Sequence, residues 1–179
     1  MNIITTPFLD LLIIEPTVFK DDRGYFLESY HKKKLAAFIK IDFVQDNESC
    51  SGKNVLRGLH FQTPPYAQAK LIRVISGAVL DVVVDLRKNS KTYGKYFKIE
   101  LNQDNKKQLF IPAGFAHGFL TLAKKTIINY KCSEFYHKKS EVSLIWNDKT
   151  ININWPVKKP IVSKKDKMGL NFKDFNSPF

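Results

Sequence analysis

The sequence predicts an all-β protein of the sandwich or barrel type, of which the jelly roll is a natural member, and three observations carry that reading. Hydrophobicity alternates with period two over long stretches, short apolar runs recur between clusters of turn-forming residues, and only one segment has convincing helical spacing.

In chain order, "LLIIEPTVF" (11–19) and "GYFLESY" (24–30) read as the first strands. A helix is predicted over "KKKLAAFI" (32–39), with Leu35, Phe38 and Ile39 on one face. "LRGLHFQ" (56–62) is patterned like buried strand yet carries Arg57 and His60, and "KLIRVIS" (70–76) is the next strand. The segment "GAVLDVVVDLRKNSKTYGKYFKIEL" (77–101) holds two strands around the turn residues of "KNSKTYG". In the first of these Ala78, Leu80, Val82, Val84 and Leu86 fall on one face, and Val79, Asp81, Val83, Asp85 and Arg87 on the other. A face with two carboxylates and an arginine either turns to water or lines a polar cavity inside a barrel, and the pattern alone favours water. "KQLFIP" (107–112), "GFLTL" (118–122), "TIINYKCSEFY" (126–136) and "SLIWND" (143–148) complete the predicted strands.

No repeat, low-complexity tract or flexible linker interrupts the 179 residues, so one domain spanning 1–179 is expected. Cys50 and Cys132 are the only cysteines; without C-x-x-C spacing or a secretory signal they read as reduced thiols of a cytoplasmic protein. The start, "MNIITTPFLD", lacks a basic region followed by an apolar core, and no stretch approaches the roughly 20 apolar residues of a membrane span.

The formal net charge of +12 raises the question of nucleic acid, whose phosphates attract clustered Lys and Arg. Here the basic residues are overwhelmingly lysines scattered in pairs such as Lys124-Lys125 and Lys158-Lys159, which argues against a binding stripe. The four arginines, Arg23, Arg57, Arg73 and Arg87, mark the positions where a planar fork is needed. An anionic small molecule, phosphorylated or nucleotide-linked, suits this charge as well as nucleic acid does.

A histidine among apolar neighbours is most often a core histidine satisfied by backbone groups, and that is the plain reading of His60. Arg57 and His60, three apart, point to opposite faces of a regular strand. Both reach one cavity only if the strand is irregular, and Gly58 predicts a bulge there.

Seven segments, "FKDDRGYFLESY", "FVQDNESCS", "VLRGLHFQTPPYAQAKLIRVISGAVLDVVVDLRKNSKTYG", "QLFIPAGFAHGFLTL", "NYKCSEFY", "LIWND" and "INWPVKKPIVSKKD", together resemble the dTDP-4-dehydrorhamnose 3,5-epimerases, in register from about Ile3 to Asp166. The resemblance implies a cupin-type jelly roll (double-stranded β-helix) with a few short peripheral helices, working as a homodimer without cofactor on a nucleotide sugar held inside the barrel. On that basis the face carrying Asp81 looks inward.

The implied substrate has a ketone at C4, so the protons at C3 and C5 are acidic once the enolate is stabilised. Inversion then needs a base on one face of the ring, a proton source on the other and a cation at the ketone oxygen. By resemblance His60 is the base and Asp166 its paired carboxylate, Tyr130 the proton donor, and Lys70 the enolate-stabilising cation with Asp81 near it to orient it. Tyr136 is the obvious misassignment for Tyr130. Arg57, Arg23 and His117 match positions contacting the diphosphate, sugar or nucleotide, while Phe26 and Glu28 match the thymine site and Gln45 and Asn47 the nucleotide end. The segment with Arg23, Phe26 and Glu28 would reach into the partner subunit's site.

Read without the resemblance, each of these residues has an ordinary alternative: a turn arginine paired with Asp21 or Asp22, a half-buried tyrosine, a solvated lysine or carboxylate. Ala69 stands where many members have glycine, and "KMGLNFKDFNSPF" has little to match. A metal-dependent cupin is disfavoured because the H-x-H pair is missing: Gly58 and Gln62 flank His60 at two residues. An epimerase acting at C3 or C5 alone, and a non-catalytic nucleotide-sugar binder, remain the alternatives to a double epimerase.

Overall fold

The computed structural model describes residues 1–179. Its strands are β1 (Asn2–Thr5), β2 (Leu12–Glu15), β3 (Val18–Asp21), β4 (Gly24–Leu27), β5 (Gln45–Gly52), β6 (Val55–Gln62) and β7 (Lys70–Ser76). They continue with β8 (Ala78–Asp85), β9 (Tyr96–Asn102), β10 (Gln108–Ile111), β11 (Phe115–Thr121), β12 (Lys125–Cys132), β13 (Glu141–Ser143) and β14 (Ile161–Val162). Two single-turn helices, α1 (Lys32–Leu35) and α2 (Lys164–Lys167), lie outside the sheets.

The first sheet has the order β1-β2-β10-β7-β12-β5, the second β13-β6-β11-β8-β9 with β14 added to β6, and β3 and β4 form a separate hairpin. Apart from the parallel β14, all strand pairs within the sheets are antiparallel. This is the jelly roll that the resemblance implied, within the sandwich-or-barrel class that the alternating strands predicted.

Between the sheets, Ile72 and Val74 of β7, Val79 and Val83 of β8, Leu109 and Ile111 of β10, and Phe115 and Phe119 of β11 form the central core with Leu101 and Ile128. The opposite face of β8, Val82 and Val84, is buried as well, under Leu144, Ile151 and Ile153 of the C-terminal segment. Thus both faces of β8 are dry, and Asp81 and Asp85 are fully buried. The expectation from the pattern alone, a solvated Asp face, is overturned because the face with Val79, Asp81 and Val83 looks toward the first sheet, while the C-terminal segment covers the opposite, Val82–Val84 face.

Asp85 is neutralised locally: Arg87 donates through Nε and Nη2 at 2.9 and 2.8 Å, and the Ser90 and Thr92 hydroxyls at 2.6 and 2.7 Å. Burial opposes its ionisation, but these bonds prevail and hold the carboxyl below its ordinary range.

Several local expectations need correction. "LLIIEPTVF" is split after Glu15 into β2 of the first sheet and β3 of the hairpin, and Asn2–Thr5, predicted as no element, is a strand. The helix over 32–39 stops after one turn, so Leu35 and Ile39 are buried while Phe38 is exposed. "SLIWND" is strand only at its first residue, which closes β13, and "TIINYKCSEFY" leaves the sheet after Cys132. The polar stretch Gln45–Gly52, predicted as no element, is an eight-residue edge strand. Its odd residues Gln45, Asn47, Ser49 and Ser51 are covered while Asp46, Glu48 and Cys50 are exposed, a period-two pattern written wholly in polar residues.

The bulge expected near Gly58 is present. β11 pairs His117 with His60 and Phe119 with Arg57, so three steps on β6 answer two on β11. Gly58 has φ +115, and a Cβ there would lie 2.6 Å from both Gly118 Cα and His117 O, so only glycine fits.

Candidate active site

The two sheets open into a cavity of ≈ 490 Å³ whose walls include Arg57, His60, Lys70, His117, Tyr130 and Asp166. An adjoining cavity of ≈ 220 Å³ shares His60, Lys70 and Tyr130 and adds Gln45, Asn47 and Glu141. Arg57 and His60 reach the same cavity because the bulge lies between them. His60 and His117 come from the second sheet; Lys70 and Tyr130 come from the facing first sheet. The two walls therefore carry different chemistry.

His60 Nε2 lies 2.6 Å from Asp166 Oδ1, with the His60 side chain 34% exposed and that of Asp166 5%. Asp166 sits in α2, whose N-cap Ser163 accepts from the Asp166 N–H at 3.0 Å, the local signature legible in "SKKD". Its second oxygen accepts from the Gly58 N–H at 3.3 Å. Burial would raise this carboxyl, yet the hydrogen bonds and charge of His60, then the Gly58 N–H and Ser163, hold it below the ordinary carboxylate range.

A second imidazole–carboxylate pair stands beside the first. His117 Nε2 lies 2.9 and 3.1 Å from the two oxygens of the buried Asp81. The expectation that Asp81 orients Lys70 is thus corrected: Asp81 is committed to His117 on the adjacent strand, and Lys70 bonds to Gln68 Oε1 at 2.9 Å instead. Register explains the pairing, since β11 places Phe119 opposite Asp81 and His117 two residues along on the same face.

Lys70 Nζ is 5.6 Å from the Tyr130 ring centroid, and burial pulls its ammonium below the ordinary lysine range. Burial likewise raises the Tyr130 phenol, keeping it protonated and able to donate. Arg57 is held through Nε and Nη2, both 3.1 Å from Ser51 Oγ, which leaves Nη1 outside either bond. Tyr136 bonds through its hydroxyl to Glu141 at 2.9 Å at the rim and is exposed, so it is distinguished from Tyr130 by depth.

Three of the predicted binding residues lie outside this cavity within the chain. Arg23 pairs with Asp21 at 2.6 Å, Glu28 with Lys34 at 2.7 Å, and Phe26 is 68% exposed on the β3–β4 hairpin. Sequence reasoning in turn missed Ser49, Phe119, Ser163 and Lys165 on the walls of the larger cavity, and Gln68, Cys132 and Glu141 on those of the smaller. Ser163 and Lys165 flag themselves by adjacency to Asp166; nothing in the sequence flags Glu141, which reaches the rim through the β13–β6 pairing. No three His, Cys, Asp or Glu side chains gather in a group able to hold a metal ion, and no helix is long and apolar enough to cross a membrane.

A jelly roll with an imidazole–carboxylate pair on one wall and a buried phenol and lysine on the other defines a cupin-type protein whose cavity is equipped for acid–base chemistry. Comparison narrows the class: residues 5–174 match the dTDP-4-dehydrorhamnose 3,5-epimerase family, and the chain belongs to it. It is 51% identical over 176 residues to the dTDP-4-dehydrorhamnose 3,5-epimerase of Shigella flexneri, with 97% of each chain covered. Among solved structures it is similar to that of the Bacillus anthracis dTDP-4-dehydrorhamnose 3,5-epimerase with TDP and pyrophosphate bound. There the TM-score is 0.93 at 48% identity, over 95% of this chain and 98% of that one. A Legionella pneumophila dTDP-6-deoxy-D-glucose-3,5-epimerase in complex with dTDP-4-keto-L-rhamnose has a TM-score of 0.94 at 42% identity, covering 98% and 94%.

Proposed function

We propose that this protein converts dTDP-4-dehydro-6-deoxy-D-glucose to dTDP-4-dehydro-L-rhamnose by inverting C3 and C5, a step in making dTDP-L-rhamnose for cell-surface polysaccharide. The observation that carries the reading is the placement of the His60–Asp166 pair and the Tyr130–Lys70 pair on facing walls of one cavity.

In this reading His60 removes the proton from the carbon beside the C4 ketone. Asp166, held ionised, orients the imidazole and stabilises the imidazolium. The electron pair moves onto the ketone oxygen, where the Lys70 ammonium stabilises the enolate. Tyr130 returns a proton to the opposite face, which inverts the centre, and the same groups serve both carbons because both flank one ketone. Arg57 and His117 take the diphosphate, with Gln45 and Asn47 toward the nucleotide.

The single domain acts as a cytoplasmic homodimer. Exposed Phe19, Tyr25 and Phe26 on the β3–β4 hairpin support a role for that arm in the partner's site, where Arg23, Phe26 and Glu28 complete the nucleotide pocket.

The test is incubation with dTDP-4-dehydro-6-deoxy-D-glucose in heavy water, read by mass spectrometry and NMR. Deuterium at both C3 and C5 with formation of the L-rhamno product is expected. Incorporation at one carbon alone assigns a single-site epimerase, and none means a different nucleotide-sugar substrate or a fold that only binds.

A further inference from the structure

Lys70 has no carboxylate partner, and a chain of neutral groups stands in its place. Its Nζ donates to Gln68 Oε1 at 2.9 Å and lies 3.9 Å from Cys132 Sγ. Gln68 Nε2 donates to the Glu134 carbonyl at 2.7 Å. Only the NH₂ end of an amide satisfies a carbonyl, so this bond fixes the flip and presents Oε1 to Lys70.

On the other side Asn47 Nδ2 donates to Cys132 Sγ at 3.6 Å, and Gln45 Nε2 donates to Asn47 Oδ1 at 3.0 Å. Gln45 Oε1 accepts from the Tyr136 N–H at 3.0 Å. The relay begins and ends on the backbone of one short segment, 134–136, and those two ends set the direction of every amide in it.

We propose that Gln68 is a positioning residue for Lys70, holding the ammonium over the cavity through a neutral acceptor so that its charge remains uncompensated for the oxyanion formed at the substrate ketone. The proposal rests on the enolate chemistry assigned above. A carboxylate in the same place would attract the ammonium in the ground state as strongly as the enolate does in the transition state, and the differential would be lost. Arg57 is likewise held by a neutral group, Ser51 Oγ, whereas Lys165 at the cavity wall is paired with the Glu141 carboxylate. Both imidazoles are held by carboxylates.

Two variants test it. Gln68→Leu removes the acceptor at similar volume, and Gln68→Glu loses the bond to the Glu134 carbonyl and puts a carboxylate in reach of Lys70. Each is expected to lower kcat by about tenfold to a hundredfold with KM changed much less, as misplacement of a stabilising group does. In Gln68→Glu the carboxylate favours the charged lysine, so the alkaline limb of the kcat profile moves to higher pH. The other titratable groups facing Lys70 are Cys132 and Tyr130 on β12, His60 on β6, Glu141 on β13 and Tyr136 beyond β12. The new carboxylate also raises the Tyr130 phenol and the Cys132 thiol, so the same limb is followed in Gln68→Glu combined with Cys132→Ser and, by solvent exchange, with Tyr130→Phe. A shift that persists in both reports the Lys70 pair.

The dissociation constant for dTDP, measured on each variant, checks that the nucleotide end is intact. Should Gln68→Leu fail to bind dTDP, Gln68→Glu decides alone through the position of its limb. A limb that does not move, or kcat within about twofold of wild type in the variants, overturns the role of Gln68. Absence of solvent exchange in the wild type would overturn the enolate reading itself, so the two failures are distinct.

Discussion

Asp166 Oδ1 lies 2.6 Å from His60 Nε2 across 106 residues of chain, and nothing local brings them together. β14 pairs in parallel with β6 through Ile161 and Val162, and this delivers α2 to the bulge at Gly58. One ring nitrogen of His60 is thereby held by a carboxylate and the other is left to take a proton.

Replacing His60 by Asn should lower turnover by roughly 10²–10⁴-fold, the usual worth of a positioned base, while dTDP affinity stays near that of the wild type. Steady-state assays and equilibrium dialysis measure the two. Near-normal turnover in that variant would remove His60 from the mechanism.

Asp166→Asn should show its effect in stability as well as rate. The folded-state carboxyl is held below its unfolded value of about 3.9, so its contribution is complete above that pH and is lost as the pH falls through the lower folded value. Urea unfolding at neutral pH and in acid should therefore show a wild-type advantage over Asp166→Asn that narrows below about pH 4. An advantage that widened in acid would contradict the assignment.

Asp81 and His117 should act as a unit, separate from Lys70. A double-mutant cycle of Asp81→Asn with His117→Asn, read as dTDP affinity, should give a coupling of about 1 kcal/mol or more, whereas Asp81→Asn with Lys70→Met should be close to additive. Coupling to Lys70 in place of His117 would restore the arrangement that the motif suggested.

Gly58→Ala should destabilise the fold by roughly 3 kcal/mol or more, since a positive φ and two backbone clashes meet at one position. Chemical denaturation measures it. A variant as stable as the wild type would mean that the bulge relaxes without cost.

The arm assignment predicts complementation. Mixing subunits of His60→Asn with subunits of Arg23→Ala should recover about a quarter of wild-type activity, because half the dimers are mixed and each has one intact site. Recovery is absent if Arg23 serves its own chain.

Much of the architecture was legible because core strands such as β12 carry period-two patterning, and turns announce themselves with Gly, Asn and Asp. β5 escaped notice because it is an edge strand whose covered face meets the cavity and therefore carries Gln45, Asn47, Ser49 and Ser51 in place of apolar residues. The bulge was predictable from parity: His60 and Arg57 could not otherwise share a cavity, and Gly58 stands between them.

The sequence by itself determined the strand periodicity, the bulge and, through the motifs carrying His60, Lys70, Tyr130 and Asp166, the chemistry of the family. Only the tertiary structure decided partners. Period-two patterning says which side of a strand a residue occupies, but not which strand lies beside it or what covers that side. Hence Asp81 belongs to His117 through the β8–β11 register, Lys70 to Gln68 through the anchoring of Gln68 on the Glu134 carbonyl, and both faces of β8 are dry because residues near 144–153 return to cover one of them.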